Sequence, residues 1–223
     1  GGCGMACSAG TTCSRGSCVL SCAPNSILCG GVCRNIFRDD ENCGACGTAC
    51  RHVCNGGRRA TPVAVYASED TSVARFDDGT LRCWGRNYSG QCGDGTRDTR
   101  LVPVVVAVSG EVVDVSTASR EVCACTRSGE MFCWGTSSHA GPVGTALVGP
   151  SRIPTLPFVT AVGTSTNHTC AVERDAGHVY CWGDAGGRIG DGTGTRRDMP
   201  VRVVDLDGAV DIATSSYTTC AVR

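Results

Sequence analysis

Two hydrophobic patterns divide this chain of 223 residues. From residue 63 onward, short runs of β-branched residues, such as 102–108 and 201–206, alternate with polar segments that contain glycine. Such runs are typical of β-strands bounded by turns, and no sustained helical period accompanies them. Before residue 58, large apolar side chains are too few to build an ordinary hydrophobic core. The pattern predicts an all-β region preceded by a small, loop-dominated one.

The boundary between the two regions falls in the stretch Asn55–Pro62, which is polar, contains glycine and ends in proline. These residue types favour a connecting segment over a strand or a helix. We therefore expect a cysteine-rich region at residues 1–57, a linker at 58–62, and the β-rich region at 63–223.

A pair of cysteines recurs in the β-rich region, at Cys123 and Cys133 and again at Cys170 and Cys181. The first two are equidistant from an Arg-Ser-Gly loop, in which Gly129 supplies the positive φ that the last loop position requires. Counting outward from the loop places the cysteines opposite each other on paired strands, close enough for a disulfide bond. The spacing predicts one hairpin-stapling disulfide in each pair.

The remaining cysteines of this region lack such a partner in the sequence. Ser72 takes the position expected for the partner of Cys83, and the partner of Cys220 is expected beyond the last residue. Cys92 and Cys125 occupy positions that hold Ile or Val in another copy of the motif. Because an unpaired cysteine behaves as a small apolar residue, we expect both to be buried free thiols.

The hairpin motif is one part of a longer repeat. Trp84, Trp134 and Trp182, each followed by glycine, are separated by intervals of 50 and 48 residues. A period near 50 residues with several strands in each unit is typical of a β-propeller blade. The sequence therefore predicts a partial β-propeller with three blades and the start of a fourth.

Cysteine dominates the composition, with 19 residues in all, and the first region is densest in them. Structural zinc sites need four ligands in paired short spacings, but Cys43–Cys46 is the only Cys-x-x-Cys. A Cys-Gly-x-Ala-Cys motif at 3–7 returns at 46–50, which also favours a disulfide framework, although its connectivity stays open. Cysteine at this density indicates an oxidising compartment, so we expect an extracellular or cell-surface protein.

The charge pattern excludes several classes of function. The formal net charge is −1, which argues against a nucleic-acid or membrane-surface protein. Every basic residue is arginine, so no lysine is available as a Schiff base, as a general base or for a P-loop. No apolar run approaches the roughly 20 residues of a membrane-spanning helix.

The segment that begins at Trp84, WGRNYSGQCGDGT, resembles the regulator of chromosome condensation repeat. The resemblance covers residues 62–223. This part of the chain is similar to the form of the repeat found in secreted bacterial proteins. It implies propellers of about seven four-stranded blades. Residues 1–57, through CGGVCRNIFRDDENCGACGTAC, resemble the stigma-specific cysteine-rich family, which implies an extracellular spacer or adhesion module.

These observations favour an exported protein-interaction scaffold, a propeller on a cysteine-rich stalk, with no catalysis and no cofactor or metal. The alternative is a glycan-acting hydrolase or lyase, which would need paired carboxylates in one cleft; Asp94, Asp184 and Asp191 are the candidates. Asp94 and Asp191 are each the single acid of a Gly-Asp-Gly-Thr loop, which is typical of a turn cap and not of a calcium site. The family resemblance also implies guanine-nucleotide exchange, which an oxidising compartment disfavours.

A protein or glycan ligand should bind the loops that follow each Trp-Gly, because these loops differ between copies while the Trp-Gly frame does not. The candidate binding residues are Arg86, Asn87 and Tyr88 in the first copy, and Arg196 and Arg197 in the third. Exposed Tyr and Arg are common anchors of protein interfaces, which makes Arg86 and Tyr88 the leading pair.

Overall fold

The computed structural model describes residues 11–14, 17–20, 22, 26–29, 32–35, 54–55, 58–136, 147–184 and 186–223. The chain divides into two compact units, Gly1–Thr61 and Pro62–Arg223. All regular secondary structure in the described ranges is β-strand. The described strands of the first unit form three hairpins: β1 (Thr11–Ser14) with β2 (Ser17–Leu20), β3 (Ser26–Cys29) with β4 (Val32–Asn35), and β5 (Cys54–Asn55) with β6 (Arg58–Arg59).

The strands of the second unit pair with their sequence neighbours into antiparallel sheets. Blade 1 contains β7 (Pro62–Ala67), β8 (Thr71–Phe76), β9 (Leu81–Gly85) and β10 (Arg100–Val106). Blade 2 contains β11 (Val112–Thr117), β12 (Glu121–Thr126), β13 (Met131–Gly135) and β14 (Leu147–Arg152), and blade 3 contains β15 (Val159–Thr164), β16 (His168–Glu173), β17 (Val179–Gly183) and β18 (Arg197–Arg202). The last two strands, β19 (Asp211–Thr214) and β20 (Thr219–Val222), pair with each other.

The first strands of successive sheets are neighbours, since β11 lies against β15 and β15 lies against β19. Up-and-down four-stranded sheets that meet through their first strands are the architecture of propeller blades. The prediction of an all-β, propeller-type fold is therefore confirmed.

The hairpin between β12 and β13 has the turn that the sequence predicts. Gly129 has φ +83°, and its amide donates to the carbonyl of Thr126 at 2.8 Å. The amide of Thr126 donates to the carbonyl of Glu130 at 2.9 Å, which closes the loop. This register places Cys123 opposite Cys133. In blade 3 a turn one residue longer places Cys170 opposite Cys181.

The hydrophobic core lies between consecutive sheets, and the repeated tryptophans are central to it. Trp134 of blade 2 is completely buried among Leu81, Cys92 and Val106 of blade 1 and apolar residues of its own blade. Trp182 of blade 3 is buried in the same way against blade 2. Each tryptophan therefore joins its own blade to the one before it.

Both hairpin disulfides expected from the spacing are present, between Cys123 and Cys133 and between Cys170 and Cys181. Their Cα atoms are 4.1 Å apart in each case, as expected for residues that face each other directly across two strands.

Blade 1 differs from the expectation in two ways. Cys83 faces Val73 and not Ser72, because the turn of this hairpin has the length of the blade 2 turn and not of the blade 3 turn. Its sulfur bonds to Cys92, so the prediction of a free thiol at Cys92 is wrong. The segment after Trp84 folds back until the Cα atoms of Cys83 and Cys92 are 5.1 Å apart, a return that strand register alone does not indicate.

Cys125 is a buried free thiol, as predicted. Burial raises its pKa to about 12, and the nearby charge of Asp114 acts in the same direction. Cys220 is also a free thiol, but it is exposed, and the prediction of a partner beyond Arg223 stays a prediction.

The two thiols should therefore differ strongly in reactivity. Iodoacetamide at pH 8 is expected to modify Cys220 within minutes and to leave Cys125 unmodified until the protein unfolds. Only about one part in ten thousand of a thiol with a pKa near 12 is thiolate at that pH, and the thiolate is the nucleophile. Peptide mapping of the folded and denatured protein measures both rates. Equal labelling of Cys125 in the two states would contradict its burial.

The first unit contains one disulfide whose two ends are described, between Cys22 and Cys33. The repeated motifs at 3–7 and 46–50 lie outside the described residues. Part of the predicted linker is structured instead, because Arg58–Arg59 pairs with Cys54–Asn55 as a short hairpin and Pro62 begins β7. Backbone hydrogen bonds thus form at Arg58–Arg59, where the polar composition predicted a linker without strands.

Candidate functional site

We use the name connector for the segment between the third and fourth strands of a blade, at residues 86–99 and 184–196 in blades 1 and 3. Most of the blade 2 connector lies outside the described residues. In blade 1, Asp94 Oδ1 accepts hydrogen bonds from the amide of Thr96 at 3.1 Å and from its hydroxyl at 2.9 Å, and Oδ2 pairs with Arg100.

Blade 3 repeats this arrangement. Asp191 accepts from the amide and hydroxyl of Thr193 at 3.0 and 2.8 Å, and it pairs with Arg197 Nε at 2.6 Å. Each aspartate therefore caps the turn of its own connector and fastens it to the beginning of the fourth strand.

The capping bonds also decide the chemistry of these carboxylates. Burial opposes ionisation of Asp94, but the hydrogen bonds from Thr96 and Arg100 outweigh it and hold the pKa of Asp94 below its usual value. The hydrogen bonds from Thr193 and Arg197 likewise lower the pKa of Asp191. The general acid of a glycosidase needs a raised pKa. Neither aspartate therefore has the raised pKa that the general acid of the alternative hydrolase function would require.

Two of the candidate binding residues hold the connectors in place through side-chain hydrogen bonds. Asn87 is completely buried; its side-chain oxygen accepts from the amide of Cys92 at 2.8 Å, and its Nδ2 donates to the carbonyl of Thr96 at 3.1 Å. Arg197 holds Asp191. Asn87 is therefore too deeply buried to contact a ligand, which corrects that expectation. Binding by Arg197, whose side chain is 34% exposed, stays a prediction. Arg196 is half-buried and pairs with the exposed Asp198 at 2.7 Å.

Arg86 and Tyr88 line a polar cleft of about 280 Å³ in the second unit. We call it the blade 1–2 cleft, since its residues come from loops of those two blades: Glu69, Asp70, Arg86, Tyr88, Ser89, Gln91, Ser119 and Arg120. Ser119 donates to Glu69 at 3.0 Å and thereby links the two blades across the cleft.

The aromatic and cationic side chains of the cleft are stacked and exposed. The guanidinium carbon of Arg86 lies 5.0 Å from the centre of the Tyr88 ring, and Tyr88 is 63% exposed. Arg86 also pairs with Asp70 at 2.7 Å, a hydrogen bond that raises the pKa of Arg86 further above its high ordinary value. An ion pair this exposed contributes little to stability, so Arg86 can exchange Asp70 for another carboxylate at small cost.

Arg120 provides a second positive charge. It is exposed, and among the described residues no ion pair or side-chain hydrogen bond engages it. Its backbone is fixed, however, because its carbonyl accepts from the amide of Thr136 at 2.9 Å. The same backbone bond joins Asp70 to Arg86 in blade 1 and Asn167 to Asp184 in blade 3. The side chain at this position therefore changes from blade to blade while the backbone frame stays constant.

Sequence reasoning identified Arg86 and Tyr88 but missed Asp70, Ser119 and Arg120. These residues belong to the turns between the first and second strands, which are remote in sequence from the Trp-Gly loops. The signal that reveals them is the repeat itself, since Asp70, Arg120 and Asn167 hold equivalent positions with different chemistry.

Sheets of this type, with their repeated connectors, define a propeller-type repeat protein. Residues 63–91 and 78–125 match the Regulator of chromosome condensation (RCC1) repeat. The human E3 ubiquitin-protein ligase HERC2 is 31% identical to the chain over 160 residues, which are 68% of this chain and 3% of that protein. The chain belongs to the RCC1 repeat family.

Solved structures show the same fold. Human WBSCR16 matches with a TM-score of 0.65 at 21% identity, over 78% of this chain and 50% of that one. A chain in the crystal structure of Kap60 bound to yeast RCC1 (Prp20) matches with a TM-score of 0.60 at 18% identity, over 72% of this chain and 41% of that one. The chain thus spans half or less of each of these proteins. No helix capable of crossing a lipid bilayer occurs among the described residues.

Proposed function

We propose that the chain is an exported protein-binding scaffold and that the blade 1–2 cleft is its recognition site. The observation that carries this proposal is the exposed, stacked pair of Arg86 and Tyr88 on a backbone frame that repeats between blades. Tyr and Arg are enriched among residues that dominate binding energy, and rigid, pre-stacked side chains lose little entropy on binding. Arg120, whose side chain no described residue engages, adds a second positive charge, so the partner surface should present carboxylates.

Two further observations support this function. Three consecutive blades each contain a disulfide, two of them between facing strands, which suits an oxidising compartment outside the cell. Yeast RCC1, which has this fold, has also been solved in a complex with another protein, Kap60. The cleft residues vary on a constant scaffold, which is the arrangement that recognition surfaces commonly use.

The test compares protein capture by the wild-type chain and by the double variant Arg86→Ala/Tyr88→Ala, using extracellular and cell-surface extracts of the source cells. Interface anchors of this kind contribute about 2 kcal/mol or more, so the affinity for the true partner should fall at least about thirtyfold. The matched control is Arg97→Ala/Leu101→Ala, which removes an exposed arginine and an exposed apolar side chain of the same blade.

A partner retained by the control and lost by the double variant supports the cleft. Equal affinity of the wild-type chain and the double variant for every captured protein would contradict it. Circular dichroism of both variants establishes that the fold is intact, which separates a lost contact from a lost structure.

A further inference from the structure

One side chain of the blade 1–2 cleft differs from the others in its burial. Gln91 is only 2% exposed, whereas the other residues that line the cleft are exposed or half-buried, so Gln91 forms the floor. The packing of the blades fixes the backbone there. The carbonyl of Gln91 accepts the indole N–H of Trp134 at 2.9 Å, and the next residue, Cys92, is held by its disulfide with Cys83. The floor of the cleft is therefore held firmly in place.

The side-chain amide of Gln91 has an unused donor. Its oxygen accepts the backbone N–H of Ser89 at 2.9 Å, which sets the orientation of the amide. Its nitrogen carries two N–H donors and has no hydrogen-bond partner among the residues that the structure describes. Because buried polar groups are nearly always hydrogen-bonded, a donor left over at the floor of a cleft indicates an acceptor from outside the chain.

The cleft also has an unused positive charge. Arg86 already holds Asp70 at 2.7 Å, but the guanidinium of Arg120 forms no ion pair within the described part of the chain. A carboxylate matches an arginine and an amide donor together, because it is anionic and has two oxygens that each accept hydrogen bonds. The ligand group that fits the floor and Arg120 is therefore a carboxylate.

The walls of the cleft favour a main-chain carboxylate over that of a side chain. Most of the wall is polar, with Ser89, Ser119, Glu69 and Asp70 in it, and it offers little apolar surface to the methylene groups of an Asp or Glu side chain. The last residue of a chain instead carries its carboxylate close to a backbone N–H. Glu69 can accept that N–H, because one of its oxygens accepts from Ser119 at 3.0 Å and its other oxygen has no partner among the described residues.

We propose that the blade 1–2 cleft binds the C-terminal carboxylate of its partner protein. The carboxylate accepts from Gln91 Nε2 and pairs with Arg120, and the backbone N–H of the terminal residue donates to Glu69. A volume of about 280 Å³ is at the small end for a ligand site, which suits the end of a chain. Capture of a terminal carboxylate is a known mode of peptide recognition. This inference rests on the proposed function, since it names the part of the partner that the cleft recognises.

The test uses the full chain, fluorescently labelled, and two bead libraries of random heptapeptides attached through their N-termini. One library has free C-termini, and the other is identical but amidated. The chain should select peptides from the free-acid library and none from the amidated one. A selected peptide should bind at least about tenfold more tightly as the free acid than as the amide, because the amide loses the charge-assisted hydrogen bonds.

Two substitutions test the residues of the site. Arg120→Gln should weaken binding of the free-acid peptides about tenfold, since it removes the charge and keeps the backbone bond to Thr136. The matched control is Arg97→Gln, which removes another exposed arginine that does not line the cleft and should leave binding unchanged. Gln91→Glu keeps the oxygen that Ser89 needs and replaces the donor with an acceptor, so it should abolish the preference for the free acid. Circular dichroism checks the fold of each variant, and Arg120→Gln alone decides if Gln91→Glu does not fold.

Three results would overturn the proposal: no selection from the free-acid library, equal affinity for acid and amide, or an undiminished preference in Arg120→Gln. Selection of amidated peptides that contain Asp or Glu would show that a side-chain carboxylate is recognised, which also overturns it. The proposed function is tested separately by the capture experiment. A protein captured through Arg86 and Tyr88 that binds equally well after its C-terminus is amidated would overturn this inference alone and leave the proposed function standing.

Discussion

Replacing Trp134 with alanine is expected to lower the free energy of unfolding by about 3–5 kcal/mol. Its side chain is completely buried between blades 1 and 2, where it contacts Gly93 and shares a core cluster with Val106, so its removal leaves a large cavity. The substitution also leaves the carbonyl of Gln91 without its 2.9 Å hydrogen bond from the indole. Since domains are typically stable by only 5–15 kcal/mol, this loss is a large share of the total.

Urea denaturation followed by circular dichroism measures the change. Trp134→Phe should cost less, because a ring still fills most of the site and only the hydrogen bond to Gln91 is lost, about 1–3 kcal/mol. Leu101→Ala is the control, since Leu101 is 90% exposed and its removal should change stability by less than about 0.5 kcal/mol. A loss for Trp134→Ala no larger than that of the control would show that the tryptophan does not join the blades.

Removing the Cys123–Cys133 disulfide with the double variant Cys123→Ala/Cys133→Ala should lower stability by about 3 kcal/mol. The bond closes a loop with a sequence separation of 10, and this is the magnitude that loop-closure entropy assigns to a loop of that length. The hairpin itself should still form, because blade 1 builds the same register with Val73 opposite Cys83.

Denaturation without reductant, compared with the wild-type chain, measures this contribution. Cys220→Ser is the control, since it removes a free, exposed thiol and should leave stability unchanged. A double variant as stable as the wild-type chain would mean that the bond does not constrain the unfolded state. Retained stability combined with an altered near-ultraviolet spectrum would instead indicate repacking of the sheet.

Part of the candidate site was accessible from the sequence. Arg86 and Tyr88 follow a Trp-Gly pair that recurs in each copy of the repeat, whereas the residues after it differ between copies. Asp70 and Arg120 were not found, because they enter the cleft from turns of two different blades and only the stacking of those blades brings them together. Asn87 was misjudged because a polar residue in a loop is usually exposed, whereas here the connector closes around its amide.

Features that depend on local geometry could be predicted from the sequence alone. The turn at Gly129 and the facing of Cys123 and Cys133 follow from the two-residue period of paired strands, which a count along the chain reproduces. The bond between Cys83 and Cys92 became known from the three-dimensional fold, since a glycine-rich connector has no period from which its path could be counted. Contacts between blades likewise depend on how the sheets stack, and stacking follows from the burial of whole faces and not from any short stretch of sequence.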